Sequence, residues 1–536
     1  PSVPVLHAFG HAHLDVAWLW PLAETRRKIA RTVSNQLALM DEYPNYRFLQ
    51  SQPELYQMLK DDYPELYQRF KEAVKSGQVI ADGGMWLEAD TNITGGESLI
   101  RQILFGKRFF RDEFGIDSRI LWLPDVFGYS GALPQILVGC QMDGFATHKI
   151  TWTYNGGDPF PYNLFWWQGI DGSAIPAHIF SDYNSQTTPD AIFERWNTRL
   201  QKNGVPSMLL CFGWGDGGGG PARDHLEFMR RAEDLEGLPK VINSSPAEFF
   251  AEMKQLGLPR ERYVGELYFQ AHRGTYTTQA RTKRLNRRAE IALREAEFWG
   301  ATAGAMGKHP FTRQELDSAW KCLLLHQFHD ILPGSSIHAV YEETEAALSG
   351  VIEKANQTAL SAARSLAKPG DGVTVFNSLP WPRRALIEHS TGLFEVDLPA
   401  CGWTTLPQPP SEIKTEHTAK ATTNSLENEY LRVELNSRGE ICVLLDKSNG
   451  RNLLKGPGNQ FQMFKDVPDC FDAWDITSMT ESVPVELNEA VTLEIINPGP
   501  LVAELSLTRK LHQSTLTQVI RLRRSSRRLD FYTQID

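Results

Sequence analysis

The chain has 536 residues and a formal net charge of −10, with a mean hydropathy of −0.34. That length exceeds one ordinary core, so two to four domains are expected. The acidity argues against nucleic acid or an anionic membrane as the main partner, and no apolar run is long enough to span a bilayer.

In the first half, short apolar runs alternate with amphipathic stretches. Strands are predicted at 5–9, 47–49, 79–81, 120–123, 145–147, 175–180 and 208–212. Pro176 marks the sixth as an edge strand or a strand start. Helices are predicted at 25–42, 53–76 and 97–114. Such alternation over residues 1–262 signals a parallel sheet or a β/α barrel.

From about Arg281 the pattern turns helical. Thr312-Arg313-Gln314-Glu315 is a capping-box signature for a helix carrying Leu316, Trp320, Leu323 and Leu324. This helix is expected to run as far as Pro333-Gly334, and a second to cover 341–367. Residues 263–367 therefore read as a helical bundle. Lys368-Pro369-Gly370-Asp371-Gly372 is a boundary by composition. Beyond it, in residues 371–536, strands are predicted at 373–376, 385–388, 431–435, 441–446, 502–508 and 529–534, giving a β-sandwich. The chain stops soon after a strand, so the sandwich is expected to be partial and the chain to be part of a longer protein. Basic clusters at 281–288 and 521–528 are interleaved with polar residues and read as solvated faces. Six scattered cysteines without C-x-x-C spacing favour a reducing compartment. No secretory leader is expected before the first strand, and the expected location is cytoplasmic.

Four separated fragments hold the chemistry: Gly10-His11-Ala12-His13-Leu14-Asp15, Trp122-Leu123-Pro124-Asp125, Gly213-Trp214-Gly215-Asp216 and His326-Gln327-Phe328-His329-Asp330. Three follow a short apolar run, where parallel α/β enzymes place their reactive groups. His11, His13 and Asp15 share one direction in an extended segment, so any two of them could bind an ion. The plainer reading is that they cap the next helix. Asp125 sits at the mouth of a buried strand, although turns also favour Asp. His329 is expected in the last turn of its helix, where the carbonyl end favours a cation. Two His and two Asp would suit Zn²⁺, and the mixed N/O set also admits Mn²⁺ or Co²⁺. The Gly run after Asp216 could let the backbone approach a ligand or move as a lid. No Lys-Ser or Lys-Thr follows it, which disfavours a phosphate loop. Asp125 and Asp216 form a carboxylate pair of the kind glycoside hydrolysis needs.

Taken together, the fragments resemble glycoside hydrolase family 38, the class II α-mannosidases. The family's H-x-D-x-x-W motif is similar to His13-Leu14-Asp15-Val16-Ala17-Trp18, and its nucleophile motif to Asp125-Val126-Phe127-Gly128-Tyr129-Ser130. His329-Asp330, Gly265-Glu266-Leu267-Tyr268 and His272-Arg273-Gly274-Thr275-Tyr276 extend the likeness. The Gly-Asp-Gly-Gly-Gly-Gly stretch points to the cytosolic or vacuolar and bacterial branch. The resemblance implies a multidomain α/β + α + β architecture: a seven-stranded β/α barrel, a helical bundle supplying one metal ligand, and a partial β-sandwich. It implies a retaining exo-α-mannosidase acting on terminal α-linked mannose through a covalent glycosyl-Asp intermediate. Zn²⁺ would be held by His13, Asp15, Asp125 and His329, with Asp125 as nucleophile. Trp18, Asp330 and His272 would contact the sugar. Asp216 is the nearest candidate for the acid, with Asp90 and Glu266 as substitutes.

Two rivals remain at this stage. A metal-dependent amidohydrolase would use His11-Ala12-His13 with His148 and His178. A non-catalytic carbohydrate-binding fragment would hold a structural metal. Expected partners are α-mannosides or mannose-containing oligosaccharides, with a homo-oligomer left open.

Overall fold

The computed structural model describes residues 3–152, 158–310, 313–368, 370, 372–389, 392–406, 417–468, 470–477 and 479–536. The chain divides into two units. One comprises Pro1–Ala362 and Pro468–Ile476, the other Ala363–Val467 and Thr477–Asp536.

Among its described residues the first unit contains ten strands: β1 (Val5–His11), β2 (Phe48–Gln50), β3 (Val79–Ala81), β4 (Ile120–Leu123), β5 (Gly144–Thr147), β6 (Leu164–Gln168), β7 (Ala174–Ile179), β8 (Ser207–Phe212), β9 (Lys240–Asn243) and β10 (Arg262–Val264). One sheet runs β3-β2-β1-β8, with β9 also paired to β1, and every pairing is parallel. The other runs β10-β6-β7-β5-β4, parallel except between β6 and β7. Single parallel bridges, Gly83↔Leu121 and Ser185↔Phe212, lie between the two ladders. Residues of β4 and β8 are buried throughout, as expected where helices cover both faces of a parallel sheet.

Two local expectations change. The strand carrying Pro176 lies inside its sheet rather than at an edge, because the unforeseen β6 pairs with its outer side. Pro176 precedes the first residue paired to β5, Ala177, so the β5 ladder loses nothing to the missing N–H. The helix predicted over 53–76 is two helices, Pro53–Asp62 and Pro64–Ser76. Pro64 disfavours helical backbone at the residue before it, and Tyr63 sits at φ −136°.

The helical stretch comprises Ala280–Ala305, Arg313–Leu325 and His338–Leu366. The capping residue Thr312 lies outside the described residues. The second helix ends at Leu325, so His326, Gln327, His329 and Asp330 occupy turns on either side of a bridge residue, Phe328. His329 is therefore not in a helical last turn, and the helix-dipole argument for it falls.

In the second unit a five-stranded antiparallel sheet (Lys420–Ala421, Ser425–Glu427, Leu431–Leu435, Ile441–Asp446, Arg451–Asn452) and a four-stranded one (Thr492–Asn497, Val502–Leu511, Ser514–Arg523, Leu529–Ile535) share one core. Leu426, Leu431, Val433 and Ile441 from the first meet Ala503, Leu505, Ile520 and Leu522 from the second. This is the packing of a β-sandwich.

Candidate metal centre and active site

The downstream ends of β1, β4, β5 and β8 converge on one cavity of about 160 Å³. Asp15, Trp18, Asp125, Lys149, Trp152, Tyr183, Asp216, His272 and Asp330 line it, with Phe471 and Trp474 from the returning segment Pro468–Ile476. Drug-sized ligands usually occupy about 300–1,000 Å³, so this space suits a single sugar ring.

Among the described residues, three overlapping donor groups share residues with its lining: His13, Asp125 and His329; Asp15, His329 and Asp330; and His13, Asp15 and Asp216. Within each group, one donor atom from every residue lies within 4.8 Å of the others. His13 Nε2 stands 3.0 Å from Asp15 Oδ1, and His329 Nε2 stands 3.6 Å from the same oxygen. All three atoms are buried and lack a hydrogen-bond partner. Buried polar atoms are normally satisfied, so donors converging without hydrogen bonds fit a shared cation. Five carboxylates, of Asp15, Glu88, Asp125, Asp216 and Asp330, surround these imidazoles. Burial alone would lower the His13 pKa, but Glu88 and Asp15 outweigh it and hold it well above the ordinary value. The donor chemistry calls for positive charge and matches a mixed N/O metal centre.

Not every histidine belongs to it. His11 accepts a hydrogen bond at Nε2 from Trp122 Nε1, at 3.1 Å, and is in none of the donor groups. His178 donates from Nδ1 to the Asn163 carbonyl at 2.8 Å and accepts from the Leu209 N–H at 3.2 Å. His148 accepts from Trp152 Nε1 at 3.0 Å. The ligand set required of an amidohydrolase is therefore not assembled.

The carboxyl pair is split electrostatically. Burial raises Asp125, but Lys149, His13 and His329 reverse that and bring its pKa below the usual carboxylate range; Lys149 Nζ lies 2.7 Å from Oδ1. Asp216 is raised, first by burial and then by the Asp15 charge, while the Tyr183 hydroxyl donates to its Oδ1 at 2.7 Å. Burial and Asp15 raise Asp330 to about 7. Burial lowers His272 to about 3, leaving it neutral beside the Trp474 ring, 5.6 Å away. Trp18 faces Trp474 with centroids 6.1 Å apart.

The Gly run is pinned, which corrects the lid expectation. Asp15 N–H donates to the Asp216 carbonyl at 2.9 Å, Gly218 N–H to the His13 carbonyl at 3.0 Å, and Thr32 to the Gly218 carbonyl. Gly218 sits at φ +69°, and a Cβ there would come within 2.7 Å of Thr32 Oγ1. Glycine serves close packing here. The turn also brings Asp216 up to the His13 and Asp15 donors, whereas the sequence reading held it apart from the metal ligands. Of the substitute acids, Asp90 accepts the N–H groups of Asn92 and Ile93, Glu266 is exposed, and neither lines the cavity.

Sequence reasoning missed Glu88, Lys149, Trp152, Tyr183, Phe471 and Trp474. Lys149 and Tyr183 each follow a predicted strand within a few residues, so the strand-end rule could have found them. Phe471 and Trp474 lie between predicted strands with no comparable signal.

Parallel strand ends and the His329 turn bring imidazoles and carboxylates to one buried cavity, a donor set that could hold a metal ion. Family comparison is specific. The description "Glycosyl hydrolases family 38 N-terminal domain" matches residues 4–266, "Alpha mannosidase middle domain" residues 270–366, and "Glycosyl hydrolases family 38 C-terminal domain" residues 426–536. The chain belongs to glycoside hydrolase family 38. It is 36% identical to Alpha-mannosidase 2C1 of Homo sapiens, over 93% of this chain and 50% of that protein. It is also 36% identical to Alpha-mannosidase of Saccharomyces cerevisiae, over 88% of this chain and 44% of that one. The chain thus spans about half the length of the curated relatives it matches. The crystal structure of an alpha-mannosidase from Enterococcus faecalis V583 has the same fold, with a TM-score of 0.78 at 18% identity, covering 99% of this chain and 74% of that chain.

Proposed function

We propose that this site belongs to a retaining exo-α-mannosidase. The observation that supports it best is the pair Asp125 and Asp216, which face one ring-sized cavity with pKa values pushed in opposite directions. Carboxyls separated in this way take different roles.

In this reading Asp125, kept anionic beside Lys149, attacks the anomeric carbon. Asp216 gives its proton to the leaving oxygen as the glycosidic bond breaks, producing a glycosyl-Asp125 ester. A water then attacks the same carbon while the Asp216 carboxylate takes its proton, and Asp125 leaves with configuration retained. His13, Asp15, Asp125 and His329 would hold the metal, Zn²⁺ by preference and Mn²⁺ or Co²⁺ by the same donor logic. When bound, that cation supplies Lewis-acid binding of sugar hydroxyls and charge compensation. Trp18 stacks on the ring, Asp330 accepts from a hydroxyl and neutral His272 lines the wall. Strands β1–β5, β7 and β8 are read as one seven-stranded ring closed by the bridges at Gly83 and Ser185. Mannose-terminated oligosaccharides are the substrates. Six cysteines without disulfides are consistent with a reducing, cytoplasmic setting.

The test is hydrolysis of an aryl α-mannoside with and without chelator, following the anomer first released by NMR. Chelator-sensitive release of the α-anomer is expected. Metal binding without turnover would favour the carbohydrate-binding fragment, and release of the β-anomer would refute retention.

A further inference from the structure

We propose that Glu88 is a positioning residue for both imidazoles of the metal centre, its carboxylate serving His13 and its main-chain carbonyl serving His329. The inference rests on the reading of those two histidines as ligands.

His329 Nδ1 donates to the Glu88 carbonyl at 2.7 Å. That fixes the tautomer with its lone pair on Nε2, the atom near Asp15 that has no other partner. His13 Nδ1 lies 3.0 Å from Glu88 Oε2, and neither atom has another hydrogen-bond partner. A proton on that side of the ring leaves the His13 Nε2 lone pair facing Asp15 as well. One residue thus turns two rings so that their free nitrogens meet at the same carboxylate. Partners behind a ligating histidine fix its orientation and raise its basicity.

Glu88 is itself held from several directions. Its N–H donates to Gln52 Oε1 at 3.2 Å, and its Oε1 accepts from the Ser51 hydroxyl at 2.8 Å. Gln52 Nε2 donates onward to the Leu14 carbonyl at 3.1 Å, between His13 and Asp15. Asp90 N–H donates to the Gln327 carbonyl at 2.9 Å, and an Ala89↔Phe328 bridge joins the Glu88 loop to the His329 turn. The frame links the ends of β1, β2 and β3 to that turn. A glutamine has a single acceptor oxygen and would turn its amide N–H toward either Ser51 or His13. Only a carboxylate accepts both hydrogens, and its charge also raises the basicity of His13.

The test measures Zn²⁺ affinity by chelator competition, metal content after dialysis, and melting of metal-free and Zn²⁺-loaded protein. Wild type is expected to bind stoichiometric Zn²⁺, and His13→Ala to lose it. Glu88→Gln should weaken affinity about 10–100-fold while the metal-free melting temperature stays near wild type. Ser51→Ala, which frees only the far oxygen of Glu88, should weaken it about two- to tenfold. Glu88→Gln binding within twofold of wild type overturns the proposal. If Glu88→Gln does not fold, unchanged affinity in Ser51→Ala overturns it instead. A wild type that binds no Zn²⁺, or a His13→Ala that binds it equally well, overturns the ligand reading and this inference together.

Discussion

Asp216→Asn removes the proton of the proposed acid while leaving the four proposed metal ligands, His13, Asp15, Asp125 and His329, in place. The amide retains an oxygen to accept from the Tyr183 hydroxyl, and the turn is held by main-chain bonds that the substitution leaves alone. Fold and metal binding should therefore persist while the transferable proton is lost. A positioned general acid contributes about 10²–10⁴-fold, or about 3–5 kcal/mol of barrier at 1.36 kcal/mol per decade. A sugar or alkyl leaving group needs that proton, and a nitrophenolate does not. The assay compares kcat/KM on an α-linked mannobiose and on 4-nitrophenyl α-mannoside. The expected loss is at least a hundredfold on the first and under about tenfold on the second. Burial and Asp15 raise the Asp216 carboxyl, so it keeps its proton to higher pH than an ordinary carboxyl. Activity on mannobiose should accordingly fall as pH rises through that value, and the limb should vanish in the variant. Equal losses on both substrates, or an unchanged alkaline limb, would refute the assignment.

Three further perturbations test other parts of the structure. Glu54, buried and accepting from Trp86 Nε1 at 2.7 Å, is raised by burial from 4.5 to about 7. The folded state keeps a proton the unfolded chain releases, so this stability is full below about 4.5 and lost as pH rises through about 7. Glu54→Gln should then be more stable than wild type by about 3 kcal/mol at pH 8 and nearly equal at pH 4.5; a melting difference independent of pH would exclude this. Trp474→Ala keeps the main-chain bond that anchors its segment to Gly274 but removes the ring facing Trp18. It should raise KM for an aryl mannoside about two- to tenfold with Zn²⁺ affinity unchanged, and an unchanged KM would remove Trp474 from the sugar wall. Lys149→Met leaves the Asp125 charge buried without its ammonium, a loss of about 3–5 kcal/mol in metal-free protein. Zn²⁺ can restore a countercharge, so the melting gain on loading should exceed that of wild type; an equal gain would mean the two charges are not coupled.

Strand positions were legible because parallel strands buried on both faces read as unbroken apolar runs, as in Ile120-Leu121-Trp122-Leu123 and Met208-Leu209-Leu210-Cys211-Phe212. The donors His13, Asp15 and Asp125 were legible for the same reason, since each follows such a run directly. β6 was not, because Phe165-Trp166-Trp167 lacks the β-branched alternation of a typical strand and pairs antiparallel in an otherwise parallel region. His329 was found through its motif, but its surroundings were misread. Helical periodicity through Leu323 and Leu324 does not disclose that the helix ends at Leu325 and that a carbonyl 241 residues away takes over the ring proton. Contacts at such separation leave no local trace. Trp474 shows this most clearly, arriving at the cavity from a segment flanked by the second unit.

The proposed acid and nucleophile roles follow from neighbours rather than from burial. Both carboxyls are enclosed, and burial by itself would raise both. Asp125 falls because an ammonium and two imidazoles surround it; Asp216 stays high because its strongest charged neighbour is the Asp15 carboxylate. A metal held by His13, Asp15, Asp125 and His329 would add positive charge on the Asp125 side and deepen its anionic character. The same charge would also work against the Asp216 proton, since Asp216 reaches the His13 and Asp15 donors. The main chain limits that effect in one respect: with the Asp216 carbonyl tied to Asp15 N–H, the proposed acid is kept beside the Asp15 carboxylate, the strongest of the charged neighbours that favour its protonated form. The glycine turn that fixes this position is therefore part of the acid's chemistry, in the same sense that Lys149 is part of the nucleophile's.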